Sequence, residues 1–233
     1  MPVLKRFGRK ADRVLLCAFL ALEAVLYACI LLTDGDFLRA TSYLSIVLCF
    51  VYALLHLRRD NALVVGGLLC TVGADFCLVV CSPIQQLYGM LFFLVAQTLY
   101  AVWLYRRDRN RPLLLVRAVL IVLVEGVAVW VLGDALDALA VVSVCYYVNL
   151  VVNILAAFWQ RKRERVLPIA LCLFLLCDTV IGLQVAAGGY LPIAEDSLLY
   201  RILFMDFNLS WFFYLPSQVL IALCGSKREE QNI

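Results

Sequence analysis

The sequence predicts an all-α protein, a polytopic membrane bundle of eight transmembrane helices, and three observations carry that prediction. Of its 233 residues, 65% are hydrophobic and only 16% are charged, where a soluble domain is roughly half apolar and a quarter charged. The apolar residues fall in blocks near the ~20 needed to cross a ~30 Å hydrocarbon core. The basic residues gather in alternate connecting segments, the asymmetry that the positive-inside rule describes.

Taken in order, the blocks cover approximately residues 14–32, 38–57, 62–81, 88–105, 112–132, 139–159, 166–187 and 207–224. Strands are excluded because none of the blocks shows the ten-residue alternation of a membrane barrel. The whole chain, 1–233, reads as a single transmembrane domain. The first block follows basic residues, but it is longer than a secretory apolar core and lacks a small-residue cleavage site, so it is expected to be a retained helix. Residues 191–206 mix Leu198, Leu199, Ile202 and Leu203 with Asp196 and Arg201, as an interfacial amphipathic stretch does.

Charge fixes the count. With the N-terminus cytoplasmic, the inner segments hold Lys5, Arg6, Arg9, Lys10 and Arg13, then Arg58 and Arg59, then Arg106, Arg107, Arg109 and Arg111. Arg161, Lys162, Arg163, Arg165, Lys227 and Arg228 follow, and Arg117 joins them near an inner helix end. That is 18 of the 20 basic residues, with only Arg39 and Arg201 outside. A seven-helix count would put clusters on the wrong face. Both termini are expected to be cytoplasmic, in a multi-pass protein of the cell membrane.

Ten cysteines are present, nearly all within apolar blocks, where a thiol packs as a small hydrophobe. Cys77 and Cys81 lie four apart without a histidine or second thiol pair, so no metal site is expected. His56, beside Arg58 and Arg59, reads as an interface residue. No Walker loop, dinucleotide fingerprint or nucleophile elbow occurs, and no cofactor is called for. The short basic loops suit orientation and anionic lipid headgroups rather than nucleic acid.

The informative residues are polar ones in hydrocarbon, where a carboxylate costs at least ~2.5–3.5 kcal/mol and so faces a cavity or a partner. Asp75 and Asp178 stand at matching depth in the third and seventh blocks, roughly 18–20 Å from the inner boundary at 1.5 Å per residue. Gln97 and Gln218 come to similar height, roughly 14–17 Å from the outer boundary. Glu125 and Asn149 fall near the same plane, and Glu23 slightly nearer the cytoplasm. Asn149 and Asn153 also suit interhelical hydrogen bonding, worth only ~0.6–2 kcal/mol, and Glu23 divides evenly between the two readings. Phe92-Phe93 precedes Gln97 and Phe212-Phe213 precedes Gln218, with an offset that differs by one residue. Each pair follows a helix bearing one aspartate. Two parallel four-helix repeats, with a site between them, would produce this pattern.

Four stretches carry a resemblance: Gly73-Ala74-Asp75-Phe76-Cys77-Leu78, Phe93-Leu94-Val95-Ala96-Gln97-Thr98-Leu99-Tyr100, Leu173-Phe174-Leu175-Leu176-Cys177-Asp178 and Tyr214-Leu215-Pro216-Ser217-Gln218-Val219-Leu220. In these the chain resembles the YhhN or lysoplasmalogenase family of eight-helix membrane proteins, the first two helices matching only in hydropathy. Ala74 stands where the family usually has Gly, Cys177 where it usually has Ser, and Gln97 where His is common. The resemblance implies hydrolysis of the vinyl ether bond of a lysoplasmalogen to an aldehyde and a glycerophospho-headgroup. Asp75 and Asp178 would be the catalytic acid and base, in an order the sequence leaves open. Gln97, Tyr100 and Gln218 would orient water or the glycerol oxygens, with Glu125 and Asn149 beside them. The partners expected are membrane lipids and a lysophospholipid substrate.

Two other readings stand beside it. A carrier could place a midplane carboxylate pair between parallel repeats, although Pro168 and Pro216 occupy different repeat positions and give no paired helix breaks. A lipid-binding or structural membrane protein could use the same polar network only to fix its packing.

Overall fold

The computed structural model describes residues 9–33, 35–109, 111–133, 137–160, 165–187, 193–194, 196–205 and 207–226. Within them run α1 (Arg9–Leu32), α2 (Gly35–Leu55), α3 (Ala62–Asp75), α4 (Gln86–Asp108), α5 (Arg111–Leu132), α6 (Ala138–Trp159), α7 (Val166–Ala187), α8 (Leu198–Leu203) and α9 (Leu209–Ser226). All but α8 are long and apolar enough to cross a membrane, α3 together with the turn that continues it to Val80, making eight candidate spans among the described residues. The expected bundle is therefore the fold. Lys5, Arg6, Arg161, Lys162, Arg163, Lys227 and Arg228, counted in the charge argument, lie outside the described residues.

Helix α8 falls within the stretch expected to be interfacial. Its Leu203 is buried, Leu198 is exposed, and the Leu203 carbonyl accepts a hydrogen bond from Gln184 Nε2 of α7 at 2.6 Å. Helix α3 does not stop at Asp75 but widens into a π-helical turn, Phe76–Val80. Such a turn takes in extra backbone and alters the phase of the residues beyond it. Asp75 is thus the last residue on the regular α-helical ladder.

The packing has a pseudo-two-fold plan. When α1, α2, α3 and α4 are matched to α5, α6, α7 and α9, the α1–α2, α2–α3 and α3–α4 contacts have counterparts in α5–α6, α6–α7 and α7–α9. The α4–α6 contact is answered by α9–α2. Matched helices run in the same direction because they are an even number of crossings apart, so the repeats are parallel. The seams repeat as well. Glu23 of α1 accepts hydrogen bonds from Ser45 at 2.5 Å and Cys49 at 3.3 Å, both on α2. Glu125 of α5 accepts one from Cys145 of α6 at 3.1 Å.

In lipid the helices gain little from hydrophobic transfer, so close packing of small residues and buried hydrogen bonds hold them together. Gly67 and Gly89 show the first effect. A Cβ on Gly67 would lie 2.2 Å from the Tyr100 ring, and one on Gly89 would lie 2.6 Å from Leu78, so α3 and α4 approach only because both are glycine. At the inner end Asn61 shows the second: its side-chain amide donates to the carbonyls of His56 and Gly225, and its Oδ1 accepts from the Arg58 amide. That ties the α2–α3 turn to the end of α9. None of the ten cysteines, all among the described residues, is in a disulfide. The exposed apolar side chains, Leu115, Val122, Leu123 and Trp130 of α5 among them, form the face such a bundle turns to lipid.

Candidate active site

The two halves meet at an aromatic cluster built from α4, α6, α7 and α9. Phe93 lies 5.6 Å from Phe174, 5.8 Å from Tyr146 and 6.3 Å from Tyr214, ring centre to ring centre. Phe174 lies 5.4 Å from Tyr214 and 6.4 Å from Tyr146. Most of these contacts are edge-on, the arrangement that ring quadrupoles favour. Each tyrosine then gives its hydroxyl to one aspartate. Tyr214 Oη donates to Asp75 Oδ2 at 2.6 Å, and Tyr146 Oη donates to Asp178 Oδ2. Asp75 is only 3% exposed, while Asp178 is half-buried. The two carboxyls are close enough to feel each other's charge. Cys177 is buried beside them and interacts electrostatically with both.

Gln97 and Gln218 are fully buried. They stand one helical turn further along α4 and α9 than Phe93 and Tyr214, on the faces those rings define. Asn153 Nδ2 donates to Gln97 Oε1 at 2.9 Å and to the Gln97 carbonyl at 2.8 Å, and Asn153 Oδ1 in turn accepts from Arg117 Nη2 at 2.7 Å. The Gln97 Nε2, both polar atoms of the Gln218 amide and the Ser217 hydroxyl have no hydrogen-bond partner among the described residues. Buried polar atoms left in this state call for water or a ligand.

The other expected residues make contacts of their own. Tyr100 is buried against Gly67, on the α3 side of α4. Glu125 holds Cys145 across the α5–α6 seam, on a helix that packs chiefly on α6 rather than on the helices bearing the aspartates. Asn149 Nδ2 donates at 2.9 Å to the Cys145 carbonyl within its own helix. Glu23, evenly divided between site and glue, is occupied in joining α1 to α2. Among the described residues no three His, Cys, Asp or Glu side chains gather as a metal-ligand set.

Tyr146 was not legible as a site residue from its own surroundings, yet a signal existed. Tyr146 and Asp178 are 32 residues apart, and Tyr43 precedes Asp75 by the same interval. The repeat is not obeyed in detail. Tyr43 of α2 is within electrostatic range of Asp75, but the hydrogen bond to Asp75 comes from Tyr214 of α9 instead. Pro216 adds a further local cause. Proline has no N–H for the carbonyl four residues back, and that carbonyl, of Phe212, accepts the Tyr27 hydroxyl at 2.9 Å, which fastens α1 to α9.

Comparison with known proteins returns one family. The model of the YhhN family matches residues 36–224, which takes in α2 to α9 apart from the ends of α2 and α9, so α2 lies within the family pattern where hydropathy alone was expected to speak for it. No curated protein and no solved structure matches the chain. All four quoted stretches fall inside the matched span, which is well over half of the sequence, and the chain belongs to the YhhN family.

Proposed function

We propose that the chain is a lysoplasmalogenase-like hydrolase that cleaves the vinyl ether bond of a single-chain ether phospholipid. The observation that carries this reading is the pair of midplane aspartates, each held by a buried tyrosine and near enough to interact. Cleavage begins when a proton is delivered to the vinyl carbon distal to the ether oxygen, giving an oxocarbenium ion. Water adds to that ion and loses a proton. The resulting hemiacetal collapses to an aldehyde and the glycerol hydroxyl, so one water is consumed and the acid is regenerated. Two carboxyls held near each other, one of them buried, supply the acid and the base that these steps need. The unpartnered amides of Gln97 and Gln218 suit a water molecule or the glycerol oxygens.

The test is aldehyde release from purified full-length protein given lysoplasmalogens of several headgroups, beside a saturated alkyl-ether control. Release from the vinyl ether alone is the expected result. A wild-type protein that releases none from any headgroup would sink the hydrolase reading.

A further inference from the structure

Beside the aspartate site lies a cavity of about 150 Å³, lined by Leu38, Arg39, Ser42, Leu78, Val79, Cys81, Ile84 and Trp211. Its position is set by elements already described. Leu78 and Val79 belong to the π-helical turn that follows Asp75. Trp211 stacks edge-on against Tyr214, ring centres 5.1 Å apart, and Tyr214 holds Asp75. One aromatic layer therefore separates this cavity from the aspartate.

Its polar groups are few and unusual. Ser42 is 1% exposed, and its hydroxyl has no hydrogen-bond partner among the described residues. Hydroxyls in membrane helices ordinarily bond back to a carbonyl of the preceding turn. The neighbouring Thr41 does so, to Phe37 at 2.8 Å and Leu38 at 3.0 Å. Ser42, which lines the cavity, makes no such bond. Arg39 stands at the rim, and among the described residues it pairs with Asp36 in an exposed contact at 3.7 Å, the kind worth little and easily exchanged. Arg39 is also one of only two basic residues assigned by charge to the side opposite the basic clusters.

We propose that this cavity is a phosphate subsite, in which Arg39 and Ser42 take the phosphodiester of a lipid whose chain runs out along the bundle. The size decides how much of the ligand enters. A pocket for a whole drug-sized molecule holds ~300–1,000 Å³, so this one accepts a headgroup fragment and leaves the chain outside. A guanidinium and a hydroxyl give a phosphate oxygen the charge-assisted and neutral donors it needs. The proposal rests on the lipid reading of the neighbouring site, and it adds the group that would position such a lipid at Asp75.

Binding rather than turnover tests it. Full-length protein in uncharged maltoside detergent is titrated with a saturated alkyl lysophosphocholine, which cannot be hydrolysed, and with the matching alkylglycerol, which lacks phosphate. Arg39→Gln is expected to weaken the phospholipid roughly tenfold and to leave the alkylglycerol unchanged. Ser42→Ala should weaken the phospholipid several-fold, and Arg39→Lys should retain part of the affinity. Equal phospholipid affinity in wild type and Arg39→Gln overturns the subsite, as does an equal loss for both ligands. Glycerophosphocholine or inorganic phosphate competing as well as the lipid would overturn its assignment to a lipid phosphate. Because the ligand is uncleavable, wild type that binds it through Arg39 yet releases no aldehyde from vinyl ethers would keep the subsite and remove only the hydrolase.

Discussion

Phe93 and Tyr214 meet edge to face, ring centres 6.3 Å apart, and each precedes a fully buried glutamine by four residues. They are repeat equivalents that differ by one hydroxyl, and that hydroxyl is the one holding Asp75. Tyr214→Phe should therefore keep the ring contacts and remove only the hydrogen bond, as Tyr146→Phe should at Asp178. Each change is expected to cost ~1–3 kcal/mol where the bond is lost, seen as a lower unfolding temperature in detergent. Turnover should fall roughly 10–100-fold if the same energy serves the reaction. Variants with unchanged stability and rate would show the tyrosines to be mere packing.

The aspartates should behave as one unit. Asp75→Asn and Asp178→Asn each keep side-chain size and hydrogen-bonding capacity, so folding should survive while aldehyde release is abolished. The double variant should be scarcely worse than either single one, since groups acting in one step are non-additive. Two single variants that retain full rate would end the two-aspartate mechanism while leaving family membership untouched.

Close approach of α3 and α4 predicts a contrast between glycines. Gly67→Ala places a methyl group where the Tyr100 ring now lies, and overpacking of this kind costs ~1–3 kcal/mol. Gly126→Ala on α5 meets nothing within 4 Å, and helix propensity then favours alanine by up to ~1 kcal/mol. Thermal unfolding of the two variants side by side should move in opposite directions.

Orientation follows from charge. Reporter fusions or cysteine labelling should place both termini and the Arg106–Arg111 segment on the cytoplasmic side. Labelling of that segment from outside the cell would invert the bundle and put Arg39 on the inner face.

Helix number and order, and the presence of two aspartates within the spans, were legible because a membrane imposes length, apolarity and a penalty on stray charge, all of which one sequence displays. The halves' correspondence was only partly legible. Matching Phe92-Phe93 to Phe212-Phe213 leaves a one-residue mismatch before the glutamines, which disappears once Phe93 is matched to Tyr214, a pairing that only the shared ring cluster reveals. The surroundings of Glu125 were not legible for a related reason. Depth along a helix can be counted from sequence, but the direction a side chain faces depends on which neighbours its helix has, and α5 packs chiefly on α6. Tyr146 was hidden because a tyrosine in a membrane helix excites no suspicion until its hydroxyl is seen to meet a carboxyl.

The exchange of Tyr43 for Tyr214 at Asp75 has a consequence for how such a protein can arise. Two identical four-helix chains paired about an axis normal to the membrane would own two equivalent aspartates, indistinguishable by symmetry. Proton donor and proton acceptor could then trade places at every turnover. Fusing the copies into a single polypeptide lifts that constraint. One aspartate is now held by a tyrosine of its own half and the other by a tyrosine of the opposite half. The two carboxyls therefore have unlike surroundings, and a substitution beside one need not be matched beside the other.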